Sequence, residues 1–208
     1  MPNPLAADLE HVLAHTSGVW NEFAGARLFL TGGTGFFGCW LLESFAWACD
    51  HAGLDAEILV LTRSPEKFRA KAPHLAVHRG IGILEGDVRA FQFPQGRFTH
   101  VIHGATDASA QLIREQPLLM LDTIVEGTRR TLDFAVTAGA RRFLLLSSGA
   151  VYAQPDPADP GTVYAEGKRV AELLCSLYSR QYPVECLTAR CFAFVGPYLP
   201  LDAHYAIG

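Results

Sequence analysis

The stretch Thr31-Gly32-Gly33-Thr34-Gly35-Phe36-Phe37-Gly38 carries a G-x-x-G-x-x-G pattern between an apolar run and a helical pattern. The apolar run, Arg27–Thr31, predicts a buried strand, and the helical pattern extends from residue 36 to about residue 52. In such a turn, glycines let the backbone approach a pyrophosphate, and the N–H groups at the helix start favour anionic phosphates. The alternative is a tight turn that holds no ligand. The context favours a dinucleotide-binding loop in which these residues contact the cofactor: Gly32, Thr34, Gly35, Phe36, Phe37 and Gly38.

The rest of the chain alternates apolar runs with helical patterns. Five further strands are predicted at residues 57–61, 81–84, 99–103, 143–146 and 184–189. Helices are predicted at residues 4–16, 65–71, 118–138 and 162–182. Because the strands are continuously apolar rather than alternating, they indicate a parallel sheet that is covered on both faces. The sequence therefore predicts an α/β fold, a doubly wound parallel sheet with helices on both faces.

The composition of the 208-residue chain excludes several classes of protein. Half of the residues are hydrophobic and 18% are charged, so the chain is neither a disordered tail nor a disulfide-stapled miniprotein. The net charge of −4 argues against a dedicated nucleic-acid-binding protein. No apolar stretch reaches the ~18 residues of a membrane span, and the N-terminus lacks the pattern of a signal peptide.

The cysteines and histidines give no sign of a disulfide framework or a metal centre. The five cysteines form no C-x-x-C pair, and the eight histidines form no H-E-x-x-H motif. We therefore expect reduced thiols, no metal and a cytoplasmic location.

The end of the second predicted strand bears on the choice of cofactor. Dinucleotide-binding folds that select NAD place an Asp or Glu near this point to hold the ribose 2′-hydroxyl, whereas this chain has Thr62 and Arg63. A cation beside a small hydroxyl suits the 2′-phosphate of NADP, so the sequence favours NADP over NAD. Asp87, after the third predicted strand, is a candidate acceptor for the adenine amino group. Without a cofactor, Arg63 would be a solvated surface arginine and Asp87 would cap its own loop.

Tyr164 and Lys168 lie four residues apart in a predicted helix and so share a face. An ammonium group beside a phenol favours the phenolate, which lets a side chain with an ordinary pKa of about 10 act as acid or base near neutrality. Ser148 follows the preceding predicted strand, where its hydroxyl would hydrogen-bond a substrate hydroxyl or carbonyl. Without a catalytic role, Tyr164 and Lys168 would simply lie on an exposed helix face, and Ser148 would only cap the end of its strand.

The motifs of this chain resemble those of the extended short-chain dehydrogenase/reductase family, the NAD(P)-dependent sugar epimerase/dehydratase group. Beyond the glycine-rich loop, the resemblance rests on Gly86-Asp87-Val88, His103-Gly104-Ala105, Gly127-Thr128, Ser147-Ser148-Gly149-Ala150-Val151-Tyr152, residues 164–168 and residues 190–197. It covers about residues 27–197 and implies a Rossmann fold that binds NAD(P).

The resemblance also implies roles for individual residues. Ser148, Tyr164 and Lys168 would form the catalytic set, with Tyr164 as the acid/base and Lys168 on the nicotinamide ribose. The cofactor would also contact the Asp87–Val88 pair. Ala105 and the backbone around His103 would line the nicotinamide-ribose side.

Several positions depart from the family pattern. Gly149-Ala150 stands where the 4,6-dehydratases of the family have Asp-Glu, so the resemblance argues against that activity. Ile124 and Ala193 each replace an asparagine that is frequent in the family. In the family, the asparagine at the position of Ala193 often helps to hold a nucleotide-sugar. Extended members also continue into a C-terminal substrate-binding part. We therefore interpret residues 1–24 as a helical extension, 25–197 as the dinucleotide-binding domain and 198–208 as the start of a truncated substrate-binding part.

Three functions remain open from the sequence. The first is a nucleotide-sugar epimerase or related oxidoreductase that works by hydride transfer. The second is an NADPH-dependent ketone or aldehyde reductase with a smaller substrate, and the third is a non-catalytic dinucleotide-binding module. We also expect poor turnover by the 208-residue chain alone. A homodimer through residues 118–138 and 162–182 is predicted from an apolar stripe of Leu118, Leu121, Val125, Leu132 and Val136, although such a stripe also suits plain core.

Overall fold

The computed structural model describes residues 3–106, 110–156, 159 and 161–199. Six strands form one parallel sheet in the order β3-β2-β1-β4-β5-β6. They are β1 (Arg27–Thr31), β2 (Glu57–Thr62), β3 (Ile81–Glu85), β4 (His100–His103), β5 (Arg142–Ser148) and β6 (Glu185–Cys191). The strand order reverses between β1 and β4, and a ligand crevice is expected beyond the carboxyl ends of these strands. The doubly wound parallel fold predicted from the sequence is confirmed.

Eight helices connect and cover the strands within the described ranges. They are α1 (Ala6–His15), α2 (Ser17–Trp20), α3 (Phe36–His51), α4 (Pro65–Lys71), α5 (Pro73–Ala76), α6 (Ala110–Glu115), α7 (Pro117–Thr137) and α8 (Thr162–Gln181). The short helices α2, α5 and α6 were not predicted, because each is too brief to show a periodic apolar pattern.

The hydrophobic core consists of two layers, one on each face of the sheet. Along β1, Phe29 joins the layer that includes Phe134 of α7, and its ring centroid lies 4.5 Å from that of Phe134. Leu30 joins the opposite layer, which includes Leu42 of α3. Because side chains alternate across a strand, a strand that is apolar at every position is buried on both sides.

The N-terminal residues pack against α3. Leu9 of α1 is buried, and Asn3 Nδ2 donates a hydrogen bond of 3.3 Å to Glu43 Oε2 of α3. The N-terminal helix α1 thus lies against the main fold, whereas the division into 1–24, 25–197 and 198–208 remains a prediction.

The apolar stripe predicted on the helix at residues 118–138 is not buried along its whole length. Leu118 is 73% exposed, whereas Leu132 is fully buried in the core. The buried residues of α7 extend from Met120 to Ala135, and of the five stripe residues they include only Leu132. On α8, Leu173 and Leu177 are exposed. Within the described ranges, no helix combines the length and apolar character that crossing a membrane requires.

Candidate functional site

The glycine-rich loop joins β1 to α3 at the carboxyl edge of the sheet. Gly32 has φ +74°, and a Cβ there would lie 2.4 Å from the carbonyl carbon of Gly104. A Cβ at Gly38 would lie 2.3 Å from Gly32 O and from Gly33 Cα. The loop is therefore folded too tightly for side chains at these two positions. Lys71 Nζ of α4 donates a hydrogen bond of 3.0 Å to Thr34 O in the same loop.

A buried histidine joins the ends of β1 and β4. His103 Nδ1 lies 2.7 Å from Thr31 Oγ1, and its Nε2 lies 3.1 Å from Thr128 Oγ1 of α7. Complete burial lowers the pKa of His103 to about 3, so the ring is neutral. The Ala105 N–H donates to Thr31 Oγ1 at 3.2 Å. The His103 side chain thus has a structural role here, and it fixes the backbone of Ala105 beside the glycine-rich loop.

The ends of β2 and β3 carry the residues considered for the adenosine half of a cofactor. Thr62 Oγ1 accepts a hydrogen bond of 3.3 Å from the Ser64 N–H. Both oxygens of Asp87 contact the Arg89 guanidinium, at 2.9 and 3.0 Å, and these bonds hold the pKa of the Asp87 carboxyl below its usual value. Arg63 lies near enough for its charge to contribute to that shift. The carboxylate of Asp87 is therefore engaged within its own loop, and adenine binding stays a prediction.

Val88 differs from its neighbour Asp87. Its side chain is buried, and a Cβ at Gly127 of α7 would lie 2.9 Å from Val88 Cγ1. The side chain of Val88 therefore packs under α7, and a cofactor contact through Val88 also stays a prediction.

The structure brings Ser148, Tyr164 and Lys168 to the same region beside the carboxyl end of β5. Lys168 Nζ lies 5.8 Å from the centroid of the Tyr164 ring, as expected for one turn of α8. Ser148 Oγ accepts a hydrogen bond of 3.1 Å from the Ala150 N–H, which caps the 3₁₀ turn Gly149–Tyr152. A serine oxygen that accepts this bond keeps its hydroxyl proton to donate elsewhere. The cap and a substrate contact are therefore compatible.

Lys168 is held at the sheet edge by two hydrogen bonds. Its Nζ donates to Thr106 Oγ1 and to Leu146 O, each at 2.9 Å. The residue is only 4% exposed, and burial lowers the pKa of Lys168 to about 8. An ammonium group has three donors, so these two bonds leave one N–H to be directed at a ligand. The side chain is rigidly placed and is charged at neutral pH.

Phe192 fills the space beside the 3₁₀ turn after Ser148. A Cβ at Gly149 would lie 2.6 Å from Phe192 Cδ1 and 2.7 Å from its Cε1. A larger residue at position 149 would require the Phe192 ring to move. Cys191 pairs with Ser148 in the β5–β6 register, so the residue before Phe192 adjoins the same strand end.

Three residues near the predicted set were missed by the sequence reasoning: Thr106, Glu172 and Arg190. Glu172 follows Lys168 by four residues, as Lys168 follows Tyr164. This spacing places all three side chains on one face of the helix, so the sequence did indicate that Glu172 lies near Lys168. Thr106 and Arg190 reach this region only through the order of the strands in the sheet. Nothing in their local sequence indicates their partners.

Relatives of this chain occur among known families, curated sequences and solved structures. A model of the NAD dependent epimerase/dehydratase family matches residues 28–206. UDP-glucuronic acid decarboxylase 1 of Xenopus tropicalis is 29% identical over 190 residues, which are 85% of this chain and 43% of that protein. UDP-glucuronate 4-epimerase 1 of Arabidopsis thaliana is 27% identical over 206 residues, which are 91% of this chain and 47% of that protein.

A solved structure shares both the fold and part of the sequence. A double mutant of the dTDP-glucose 4,6-dehydratase DesIV of Streptomyces venezuelae, solved with NAD and DAU bound, has a TM-score of 0.69 and 25% identity, covering 83% of this chain and 57% of that one. The chain spans about half the length of the curated relatives it matches. Because the family model matches most of its length, the chain belongs to the NAD dependent epimerase/dehydratase family.

Proposed function

We propose that this chain binds NAD(P) along the carboxyl edge of its sheet and oxidises and re-reduces a nucleotide-sugar by hydride transfer. The observation that carries the proposal is the position of Lys168, which is buried and charged beside Tyr164. Burying a cation costs free energy, and a helix face with only a structural role would not need one. Buried charges of this kind are common at functional sites. The tightly folded glycines at Gly32 and Gly38 fit the close approach of a dinucleotide backbone.

In this mechanism, Tyr164 and Ser148 act on one substrate oxygen. NAD(P), when bound, accepts and returns a hydride at its nicotinamide ring. Tyr164 takes the proton of the sugar hydroxyl as the adjacent C–H bond breaks, which leaves a ketone on the sugar. Ser148 donates a hydrogen bond to that oxygen, and the Lys168 charge stabilises the Tyr164 phenolate. The epimer would form when the ketone is reduced on its opposite face and Tyr164 gives the proton back to the sugar oxygen.

The names of the matched relatives support a UDP-sugar as the substrate class. One relative is a UDP-glucuronate 4-epimerase, and several are UDP-glucuronic acid decarboxylases. The lack of a carboxylate at Gly149 and Ala150 supports the view that this chain is not a 4,6-dehydratase. We therefore favour epimerisation of a UDP-sugar.

A second candidate is the decarboxylation of UDP-glucuronic acid, because several of the matched relatives are named UDP-glucuronic acid decarboxylases. Oxidation at C4 of a hexuronic acid makes a β-keto acid. Such an acid loses its carboxyl carbon as CO₂ when the C5–C6 bond breaks, and C5 then takes a proton. The same three side chains serve both reactions, so the two reactions differ only in the steps after the first oxidation.

An assay with defined nucleotide-sugars tests the proposal. The chain is incubated with NAD⁺ or NADP⁺ and with UDP-glucuronic acid or UDP-galactose, and the sugars are separated by chromatography. Epimer formation with no net change in reduced cofactor supports epimerisation, and pentose with CO₂ supports decarboxylation. Consumption of NADPH with a simple ketone would instead identify a reductase. Dinucleotide binding without any turnover would agree with a binding module and also with the poor turnover expected of the 208-residue chain alone.

The cofactor preference is a separate proposal, and it rests on Thr62 and Arg63. We expect NADP⁺ to bind more tightly than NAD⁺ in calorimetric titrations. Arg63→Ala should weaken NADP⁺ binding about tenfold, because a charged hydrogen bond to a phosphate contributes about 1.5 kcal/mol. The same change should leave NAD⁺ binding almost unaltered. Equal losses for both cofactors would contradict a role in reading the 2′-phosphate.

The remaining proposals concern assembly and location. A homodimer through α7 and α8 is supported by the exposure of Leu118, Leu173 and Leu177. A single monomeric species in sedimentation at micromolar concentration would count against it. A cytoplasmic location is supported by the five cysteines, all of which are free thiols.

A further inference from the structure

A carboxylate one helical turn beyond Lys168 is clamped by residues from two strands. Glu172 Oε1 accepts a hydrogen bond of 2.6 Å from Ser147 Oγ of β5. Arg190 of β6 donates from Nε to Oε1 at 3.0 Å and from Nη2 to Oε2 at 2.7 Å. These hydrogen bonds, chiefly those from Arg190, hold the pKa of Glu172 below its usual value. The carboxylate is therefore ionised and fixed in position.

Arg190 is itself held on its other side. Its Nη1 donates a hydrogen bond of 2.6 Å to Tyr152 Oη, and its guanidinium carbon lies 5.0 Å from the centroid of the Tyr152 ring. The Glu172–Arg190 pair thus connects α8, β5, β6 and the 3₁₀ turn that follows Ser148. Bidentate pairing of this kind fixes geometry as well as charge.

The charged and titratable groups around Lys168 come from three elements. His103 of β4 is neutral, because burial lowers its pKa to about 3. Burial raises the pKa of the Cys191 thiol of β6, so that group is uncharged near neutral pH. Tyr164 and Glu172 lie on α8 itself. Two groups of the described part of the chain oppose the effect of burial on the pKa of Lys168, the Cys191 thiolate first and the Glu172 carboxylate second. Because the thiol is uncharged near neutral pH, Glu172 is the one of the two that carries a negative charge there.

We propose that Glu172, clamped by Ser147 and Arg190, is a positioning residue that keeps Lys168 charged and oriented beside Tyr164. The positive charge of Arg190 partly offsets the negative charge of Glu172, so it reduces the influence of Glu172 on Lys168. Any effect of Glu172 on catalysis rests on the proposed function, in which the charge of Lys168 stabilises the Tyr164 phenolate. The ionisation of Lys168 is a property of the free protein, so it can be measured without cofactor or substrate.

The chain has only three lysines, Lys67, Lys71 and Lys168, which makes this measurement direct. Protein labelled with ¹³C at the lysine ε-carbon gives three signals, and the signal lost in Lys168→Arg is assigned to Lys168. Its chemical shift is followed as a function of pH. In the unchanged protein, we expect the Lys168 signal to titrate with a pKa of about 8.

Two substitutions should move this pKa in opposite directions. Glu172→Gln keeps an acceptor for Ser147 but removes the charge, and should lower the pKa of Lys168 by about one unit. Arg190→Met removes the compensating cation and should raise the pKa of Lys168 by a smaller amount. Loosening of the structure alone would not produce shifts of opposite sign. Glu166→Gln, which removes the same charge from the Arg169 ion pair on α8, is the matched control and should leave Lys168 unchanged.

The outcomes separate this inference from the proposed function. An unchanged Lys168 pKa in Glu172→Gln, or shifts of the same sign in both variants, overturns the inference even if the enzyme is active. If Glu172→Gln does not fold, Arg190→Met decides, with an upward shift in support and no shift against. Opposite shifts in a protein that turns over no nucleotide-sugar would support the inference and count against the proposed function.

Discussion

Replacing Tyr164 with phenylalanine is expected to lower the rate of nucleotide-sugar oxidation about 10²- to 10⁴-fold, the usual contribution of a general acid–base group. The substitution removes only the hydroxyl that we propose takes the substrate proton. The ring packs against the core layer that contains Phe143, so the fold and the position of Lys168 should be retained. Dinucleotide affinity should therefore stay the same while turnover is lost, as separate titration and rate measurements can establish.

The matched control for this change is Tyr182→Phe. Tyr182 lies directly after α8, at the end of the helix away from Tyr164, and its ring packs near that of Tyr178. We expect this variant to keep its full rate. In the unchanged protein, the rate should also fall as the pH rises through about 8, where Lys168 loses its proton. Tyr164→Phe activity above a tenth of the unchanged rate would rule out Tyr164 as the acid/base.

The sheet could be predicted from the sequence because its signals are local. Each strand is an apolar run bounded by turn residues, and the glycine-rich loop marks where β1 meets α3. The order of the strands in the sheet follows from the small number of ways in which such units connect. Tyr164 and Lys168 were recognisable for the same reason, since four-residue spacing in a helix decides which side chains are neighbours.

The contacts that complete the site could not be predicted because they join distant parts of the chain. Lys168 bonds to Thr106, which is 62 residues away, and Glu172 of α8 pairs with Arg190 of β6, which is 18 residues away. Asp87 shows a different limit. Its place after β3 suggested adenine binding, but the sequence did not indicate that Arg89, two residues on, would engage both of its oxygens.

Gly38→Ala is expected to have a large effect on the glycine-rich loop. The added methyl would lie 2.3 Å from Gly32 O and from Gly33 Cα, both of which are backbone atoms that cannot rotate away. The start of α3 must then separate from the loop. Overpacking of this kind costs about 1–3 kcal/mol, which corresponds to a fall in melting temperature of about 2–12 °C for a chain of this size. Thermal unfolding followed by circular dichroism measures this directly.

The same substitution should weaken dinucleotide binding by more than tenfold, because we propose that the pyrophosphate lies on the backbone that the methyl displaces. Gly18→Ala provides the control, since a Cβ at Gly18 in α2 would meet nothing within 4 Å and helices favour alanine over glycine. That variant should match the unchanged protein in melting temperature and in affinity. If Gly38→Ala lowers the melting temperature but binds NAD(P) normally, the loop is a structural turn and the cofactor lies elsewhere.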